Sequence, residues 1–388
     1  MENTDATALL RRLVAFDTVS SRPNLPLIEW SADLLDQAGF RTSIHRAADG
    51  EHGNLFATIG PEDVAGVMLS GHSDVVPVEG QPWTSDPFVL TDNGDRLVGR
   101  GSADMKGFIA CMLASAPMLA ASKLRQPVHI ALSYNEETDM AGMREMAGQL
   151  AQAPVRPAAC VIGEPTLMQV IVANKGAAIF RCRIEGFPAH SSLRDQGVSA
   201  VEIAAEMIAW LNRRQQQLNQ AERHDGFEYP FSSIHAGMIR GGTAHNITAQ
   251  HCEFVFEVRA LPGVSAQAVV DQLQAFCNES LLPGMKAISA DCAIAIEPIV
   301  NAPGLDERGN THLARAIMPL CLCHSPGRVS FGTEAGFLTE VGVPTVVCGP
   351  GSILVAHQPD EYVERDQLDQ CMRFIGALGR RLTDGALL

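Results

Sequence analysis

Four apolar segments of this chain each end at, or shortly before, a side chain that can bind a metal ion. His72 follows VMLSG, Glu136 and Glu137 follow HIALSYN, Glu164 follows CVIG, and His357 follows VPTVVCGPGS in the next loop. A buried strand that ends in an ionisable side chain presents it at the carboxyl edge of a sheet, where open α/β proteins bind their ligands. The pattern therefore predicts a cluster of imidazoles and carboxylates at one sheet edge.

Two aspartates complete this candidate cluster. Asp104 lies in GRGSADMKG, whose glycines allow a tight turn before the following helix. Each oxygen of a carboxylate can bind one cation, so Asp104 could bridge two metals, although such a residue is more often a helix N-cap. Asp74 stands two residues after His72, and strand periodicity puts both side chains on the same side. We expect the Asp74 carboxylate to accept a hydrogen bond from the His72 nitrogen that does not face the metal.

The adjacent glutamates are expected to have different roles. Neighbouring residues that leave a strand point in different directions, so one of Glu136 and Glu137 should bind metal while the other faces the reacting water. Glutamate pairs are usually solvated, and a solitary loop histidine such as His357 is commonly a surface residue. Five candidate ligands after successive buried strands are nevertheless hard to obtain by chance. The set is typical of a two-metal hydrolase.

Composition indicates a globular protein with more than one domain. The chain has 388 residues, of which 46% are hydrophobic and 19% charged, and this length exceeds that at which a single core usually keeps growing. Lys plus Arg number 29 against 44 Asp plus Glu, which gives a formal charge of −15. Because the chain has no basic block, we expect neither nucleic acid nor an anionic membrane as a partner.

We expect no secretory signal at the start of this sequence, and the cysteines favour a reducing compartment. MENTDATALLRRLVAF lacks the basic start and apolar core of a secretory signal. The most apolar helical stretch, GFIACMLASAPMLAAS, is shorter than the roughly 18 residues of a membrane span, so it predicts a core helix. The ten cysteines are scattered without a CxxC pair. We therefore expect reduced thiols in a cytoplasmic protein.

Hydrophobic patterning predicts an α/β fold with an inserted domain. Up to about residue 175, the non-alternating runs NLFATIG, VAGVMLSGH, VHIALSY and ACVIGE are separated by helical segments. Such runs imply a three-layer α/β/α domain with a mostly parallel sheet covered on both faces. Between 176 and 297 alternating strands flank helical spacing, which favours an α+β sandwich. The buried pattern resumes over 298–388, so this segment should complete the domain formed by 1–175.

The candidate ligands lie in stretches that resemble the zinc aminoacyl-hydrolase and carboxypeptidase family. That family includes acetylornithine deacetylases, succinyl-diaminopimelate desuccinylases, aminoacylases and glutamate carboxypeptidases. The matching stretches SGHSDVVP, GRGSADMKG, NEE, GEPT, GFPAHSS and HQPDEY occur in order across nearly the whole chain. The resemblance implies that the inserted domain is a lid, which often carries the dimer interface. Asn135 stands where many relatives have Asp before the glutamate pair, which weakens assignment to subfamilies with that Asp.

The resemblance also implies the metals and the ligand assignment. It implies two Zn²⁺ per subunit, with His72 and Glu164 on one ion, Glu137 and His357 on the other, and Asp104 between them. Imidazole ligands suit zinc, and a carboxylate-rich site also tolerates cobalt or manganese. The same resemblance makes Glu136 the general base.

Three lid residues are expected to contact the substrate. His190 in GFPAHSS resembles a lid histidine that, in relatives, reaches the active site of the opposite subunit and stabilises the oxyanion. Asn246 in GGTAHNIT and Arg259 in FEVRALPG resemble lid positions that hold the substrate carboxylate, and a guanidinium suits bidentate contact. His190 could also be an ordinary loop residue, and Arg259 a solvated strand residue.

Several segments resemble the acetylornithine deacetylases in particular, namely SYNEE, FGTEAGF and GPGSILVAHQPDEY. This points to N2-acetyl-ornithine as substrate, to a role in arginine biosynthesis and to a homodimer formed through the lid. Glu334 in FGTEAGF could hold the cationic side chain of ornithine, or it could face water. Other amide hydrolases of the family, such as desuccinylases, aminoacylases, carboxypeptidases or dipeptidases, remain open, and so does a non-catalytic binding protein.

Overall fold

The computed structural model describes residues 5–220, 223–385 and 387, and these form two compact units. Unit 1 contains the described residues of Met1–Ala173, Leu305–Arg328 and Thr333–Leu388. Unit 2 contains those of Asn174–Gly304 and Val329–Gly332. The second unit is therefore inserted into the first. The sequence predicted domain boundaries after residues 175 and 297. In the structure the chain passes from one unit to the other after Ala173 and after Gly304.

The helices are α1 (Ala6–Val14), α2 (Leu25–Gln37), α3 (Gly107–Ala121), α4 (Ala141–Gln152), α5 (Ala200–Leu218), α6 (Ala266–Phe276), α7 (Leu282–Ile288), α8 (Thr311–Ile317), α9 (Ala335–Glu340) and α10 (Arg365–Asp384). The strands are β1 (Arg41–Arg46), β2 (Gly53–Ile59), β3 (Val67–His72), β4 (Thr91–Asp92), β5 (Arg96–Val98), β6 (Val128–Ser133), β7 (Ala159–Pro165), β8 (Ile171–Asn174), β9 (Gly176–Glu185), β10 (Ser233–Gly241), β11 (His251–Ala260), β12 (Ala293–Ala302), β13 (Gly327–Val329), β14 (Thr345–Gly349) and β15 (Tyr362–Glu364).

A large mixed sheet forms the centre of unit 1, in the order β1-β2-β6-β3-β7-β14-β8-β13. Its four middle strands, β6, β3, β7 and β14, run parallel. Strands β3, β7 and β14 are buried along their whole length, so both faces of the sheet are covered. The predicted α/β fold with a mostly parallel sheet is confirmed.

Helix α3 lies in the core of unit 1. It contacts β3 and β7 on the sheet and the helices α1 and α10. Together with the turn before it, Ser102–Ala121 is long and apolar enough to cross a membrane, but 78% of its most apolar window is buried inside the protein. Gly163 permits the close approach of α3 to the sheet, because a Cβ atom there would lie 2.0 Å from the ring of Phe108. The apolar run is a core helix.

Unit 2 is built on an antiparallel sheet of order β10-β11-β9-β12, with α5 and α6 packed on one face. Burial alternates along β11, so one face is apolar and the other carries charged residues. Strand β12 extends to Ala302, beyond the domain boundary expected after residue 297. A register shift between Pro298 and Val300 accommodates the proline. The domain boundary expected after 297 therefore falls inside a strand.

Candidate metal centre

The parallel strands of unit 1 deliver the candidate ligands to one edge of the sheet. His72 is the last residue of β3 and lies opposite Ser133, the last residue of β6. Glu164 lies near the end of β7, and β14 leads into the loop that carries His357. Because β6, β3, β7 and β14 all run in the same direction, their carboxyl ends meet at this edge. Residues separated by up to 285 positions in the chain are thereby brought together, as between His72 and His357.

Asp104 lies at the centre of the cluster, in the turn Ser102–Lys106 before α3. Its Oδ1 lies 2.9 Å from His72 Nε2, and its Oδ2 lies 3.4 Å from His357 Nε2. His72 Nε2 is also 3.8 Å from Glu164 Oε1, and His357 Nε2 is 3.1 Å from Glu137 Oε1. The two oxygens of Asp104 thus face two different histidines, each of which has a second carboxylate beside it.

The ligand atoms form two groups that share Asp104. One group is His72, Asp104 and Glu164, and the other is Asp104, Glu137 and His357, with all ligand atoms of a group within 4.8 Å of one another. The structure therefore brings together all five side chains expected to bind metal, in the pairs that the family resemblance implies. Glu136 joins His72 and Glu137 in a third such group. It therefore lies beside both metal groups.

A tight turn after β6 presents the two glutamates. Asn135 has a φ of 57°, a left-handed conformation that asparagine tolerates. Its carbonyl oxygen accepts hydrogen bonds from the amides of Thr138, Asp139 and Met140, which closes the turn. The asparagine at this position thus has a local structural role, and Glu136 and Glu137 point toward the cluster from the turn that it starts.

Asp74 has a different role from the one expected. His72 Nδ1 bonds to the main-chain oxygen of Asp74 at 3.0 Å, while the nearest Asp74 carboxylate oxygen is 3.7 Å away. The carboxylate instead accepts hydrogen bonds from the amides of Glu136 (3.0 Å) and Glu137 (3.2 Å) and from Ser20 Oγ (2.6 Å). The strand ends at His72, so the two-residue periodicity no longer governs Asp74. Its carboxylate holds the glutamate turn.

Burial and mutual charge shift the pKa values across the cluster. Burial raises the pKa of Glu136 and Glu164 well above the ordinary value and that of Glu137 to about 7, and neighbouring carboxylates add to each increase. Burial opposes ionisation of Asp104, but hydrogen bonds from His357 and His72 keep its pKa below the usual range. Hydrogen bonds to Asp104 and Glu137 raise the pKa of His357 to about 10. The negative charges of these buried carboxylates therefore repel one another, which disfavours their simultaneous ionisation.

The donor set fits divalent cations. Glu164 Oε1 is buried without a hydrogen-bond partner among the described residues, and it faces the group formed with His72 and Asp104. A buried carboxylate without a partner is costly, and a cation would satisfy it. Two imidazole nitrogens and at least three carboxylates are ligands that zinc, cobalt and manganese accept.

Glu334 does not reach the surface, contrary to both sequence readings. Its side chain is fully buried, and its Oε2 accepts a hydrogen bond of 2.9 Å from Ser133 Oγ. Burial raises its pKa to about 7. A carboxylate without solvent access cannot be offered to the side chain of a substrate. The Gly-rich surroundings suggested an open loop, but Thr333 and Ala335 beside it are also buried.

In unit 2, His190 and Asn246 lie on paired segments. His190 forms an antiparallel bridge with Ile247, and Asn246 O accepts a hydrogen bond from Ser191 N at 3.1 Å. The His190 ring is exposed, and its Nδ1 accepts the Ser192 amide proton at 3.2 Å. With Nδ1 in contact with Ser192, Nε2 is the ring nitrogen available to donate a hydrogen bond. The structure brings these two predicted residues together.

Arg259 lies elsewhere in unit 2. It is near the end of β11, eight residues after His251, and a strand rises about 3.3 Å per residue, so roughly 26 Å separate it from the strand start that follows Asn246. Its guanidinium pairs with Glu257 on the same sheet face at 2.9 Å. Within unit 2, Arg259 is thus not grouped with His190 and Asn246.

Sequence reasoning missed three polar residues behind the cluster, Gln81, Arg100 and Glu361. Glu361 lies in HQPDEY and Arg100 in GRGSADMKG, so both motifs were noted for other residues. Arg100 and Glu361 are each 1% exposed and form an ion pair of 2.6 Å. For these two, the available signal was a charged residue within a motif that also supplies a ligand, whereas Gln81 is neutral and lies outside the noted motifs.

Comparison with known proteins identifies the family of this chain. The model of peptidase family M20/M25/M40 matches residues 68–381. The chain is 35% identical over 382 residues to an acetylornithine deacetylase of Yersinia pseudotuberculosis, covering 95% of each protein. Its fold is similar to those of an M20 family metallo-carboxypeptidase from Sulfolobus solfataricus (TM-score 0.74, 13% identity, 98% and 99% covered) and a dinuclear metal binding peptidase of the M20 family from Bacillus subtilis (0.68, 16%, 98% and 98%).

The family match spans the strand end at His72 and the loop at His357, and the relative covers nearly the whole chain, so both units are included. This protein is a member of peptidase family M20/M25/M40.

Proposed function

We propose that this protein is a metal-dependent amidohydrolase that cleaves N2-acetyl-ornithine to ornithine and acetate. The observation that carries the proposal is the pair of ligand groups that share Asp104 at the carboxyl edge of the sheet. The similarity to an acetylornithine deacetylase along 95% of the chain supports the choice of substrate. We further propose that the ornithine produced enters arginine biosynthesis.

The proposed metals are two zinc ions. His72 and Glu164 would hold one, Glu137 and His357 the other, and Asp104 would contact both. Two bound divalent ions lower the pKa of a water molecule and polarise the amide carbonyl of the substrate. Cobalt or manganese could replace zinc, because carboxylates make up most of the donor set.

Glu136 is the proposed general base. It lies beside both metal groups, and the Asp74 carboxylate holds its main-chain amide at 3.0 Å. As water attacks the carbonyl carbon, Glu136 accepts the water proton. It then donates this proton to the leaving nitrogen as the C–N bond breaks, so one carboxylate acts first as base and then as acid.

The lid residues are proposed to bind and polarise the substrate. The Nε2–H of His190 would donate a hydrogen bond to the developing oxyanion, and Asn246 and Arg259 would bind the α-carboxylate. Because Arg259 lies roughly 26 Å along β11 from the start of that strand, one lid does not present Arg259 and His190 together. A substrate contacted by both would need lids from two subunits.

We accordingly propose a homodimer formed through unit 2. Strand β10 is at the edge of the unit 2 sheet, and it exposes Met238 (52%) and Ile239 (50%). An exposed apolar edge strand is a common site of pairing between chains. The ten cysteines are all free thiols, which supports our proposal of a cytoplasmic location.

The test is amine release by purified protein after metal removal and reloading with Zn²⁺ or Co²⁺. The substrate panel is N2-acetyl-ornithine, N-acetyl-leucine, N-succinyl-diaminopimelate and a dipeptide. We expect N2-acetyl-ornithine to give the highest kcat/KM. Glu136→Gln should lose about 10²- to 10⁴-fold in kcat while it keeps bound metal, and the exposed Glu228→Gln should behave like the wild type. Higher activity on another member of the panel would reassign the substrate, and inactivity on all four would refute the proposal.

A further inference from the structure

Three polar side chains behind the metal centre connect two loops that each carry a candidate ligand. They are Gln81, Arg100 and Glu361, all in unit 1. One loop holds Asp104 and the other holds His357. Both of those residues belong to the group completed by Glu137, whereas only Asp104 belongs to the group with His72 and Glu164.

Glu361 holds the Asp104 loop through main-chain amides. Its Oε1 accepts hydrogen bonds from the amides of Ala103 (2.9 Å) and Asp104 (3.0 Å), and its Oε2 accepts one from Gly101 N (3.1 Å). The same Oε2 pairs with Arg100 Nη1 at 2.6 Å. The carboxylate is 1% exposed, so these contacts take the place of water around it. The position of Asp104 is therefore tied to one buried side chain.

Gln81 holds the His357 loop. Its Nε2 donates a hydrogen bond to the main-chain oxygen of His357 at 2.9 Å. Its Oε1 accepts from Arg100 Nη2 (2.5 Å) and Trp83 Nε1 (3.0 Å), and the guanidinium lies 4.9 Å from the centre of the Trp83 ring. Arg100 thus connects Gln81 to Glu361.

The backbone at His357 gives the Gln81 contact a function. His357 has a φ of 63°, a left-handed conformation that a residue other than glycine adopts only at a cost. His357 is also exposed, so packing of its side chain does little to fix it. The hydrogen bond from Gln81 holds the main chain at this unfavourable conformation. It thereby helps to direct Nε2 toward Asp104 and Glu137.

We propose that Gln81 and Glu361 are positioning residues, connected to each other by Arg100. Each of them affects the zinc affinity of the two sites to a different extent. Gln81 bonds directly only to the loop of His357, and Arg100 keeps its bonds to Glu361 and to the main-chain oxygen of Gln358 without it. Gln81 therefore acts mainly on the position formed by Glu137 and His357. Glu361 acts on both positions, because Asp104 is shared. This inference rests on the proposed function only in that the protein must bind two metal ions.

The experiment titrates metal-free protein with Zn²⁺ by calorimetry and counts zinc per chain by elemental analysis. We expect two zinc ions per wild-type chain. Gln81→Ala should weaken one site by about 10- to 100-fold and leave the other unchanged, which is the usual effect of losing a contact behind a ligand. Gln81→Glu keeps the acceptor for Arg100 but loses the donor to His357, so it should do the same. Glu361→Gln places an NH₂ against main-chain N–H groups and should weaken both sites.

Matched controls are Gln358→Ala and Glu364→Gln. Both side chains are exposed and next to the same loop, and wild-type binding at both sites is expected. Two sites of wild-type affinity in both Gln81 variants would overturn the inference. So would equal weakening of both sites by Gln81→Ala with a lower thermal midpoint of the metal-free protein, since that result indicates a purely structural contact. A wild-type chain that binds fewer than two zinc ions would instead refute the two-metal function.

Discussion

Replacing Asp74 by asparagine tests whether its carboxylate holds the glutamate turn. The carboxylate is 1% exposed and accepts three hydrogen bonds, from Ser20 Oγ (2.6 Å), Glu136 N (3.0 Å) and Glu137 N (3.2 Å). In Asp74→Asn the remaining oxygen can keep the bonds from Ser20 and Glu137, which share Oδ2. The NH₂ group then faces the amide of Glu136, and one charge-assisted hydrogen bond is lost.

Such a bond contributes about 1.5–3 kcal/mol, and its loss corresponds to about 10- to 150-fold in rate if it is expressed fully in the transition state. We therefore expect kcat/KM of Asp74→Asn to fall within this range, because Glu136 is displaced. Ser20→Ala removes one donor but keeps both amide bonds, so its loss should be smaller, below about tenfold.

Steady-state kinetics and zinc titration together check this reasoning. His72 keeps its main-chain acceptor in Asp74→Asn, so zinc affinity at the position of His72 and Glu164 should stay at the wild-type value. A kcat/KM within threefold of wild type would show that the carboxylate does not hold the turn. Selective weakening of the His72 position would show instead that the carboxylate orients the imidazole.

Three further predictions follow from burial and exposure. Glu334→Gln should leave the ratio of kcat/KM for N2-acetyl-ornithine over N-acetyl-leucine unchanged, because the side chain has no access to substrate; a tenfold change in that ratio would contradict its burial. His190→Ala should lower kcat by about 10²- to 10³-fold without changing the thermal midpoint, since the ring is exposed, and unchanged turnover would exclude it from the site. Gly163→Ala should lower the free energy of unfolding in urea by about 1–3 kcal/mol, because the new Cβ would lie 2.0 Å from Phe108. Gly148→Ala in α4, with nothing within 4 Å, is the control and should be neutral or slightly stabilising; equal stability of the two variants would contradict the packing argument.

Strands that are buried on both faces were predictable from the sequence, whereas strands at the edges of the sheets were not. The runs that form β3, β6, β7 and β14 are mostly apolar, so each was recognised as a strand that ends at, or shortly before, a candidate ligand. Strand β1 has the sequence RTSIHR and is mostly exposed at the sheet edge. It carries no hydrophobic pattern and was missed. The domain boundary expected after 297 falls inside β12, because the register shift that lets this strand continue past Pro298 depends on the partner strand β9.

In the metal centre too, the sequence indicated which residue types bind metal but not the environment of each side chain. His357 and the pair Glu136 and Glu137 were identified because they follow buried strands, and Asp104 because it lies in a glycine-containing turn before a helix. The family resemblance assigned Glu137 to the metal, and the structure places these residues together. The environment of Glu334 was not predictable. Its carboxylate is buried against Ser133 at the end of β6, which lies 201 residues away in the chain.

The sequence by itself determined which side chains could do the chemistry, and that parallel strands would carry them to one edge. Both follow from local features, namely residue type and uninterrupted hydrophobicity. Only the tertiary structure decided that Asp74 holds a main-chain turn, and that Gln81, Arg100 and Glu361 connect the loops of Asp104 and His357. The physical reason is that a hydrogen bond depends on a distance and an angle between two groups, and here those groups lie up to 276 residues apart.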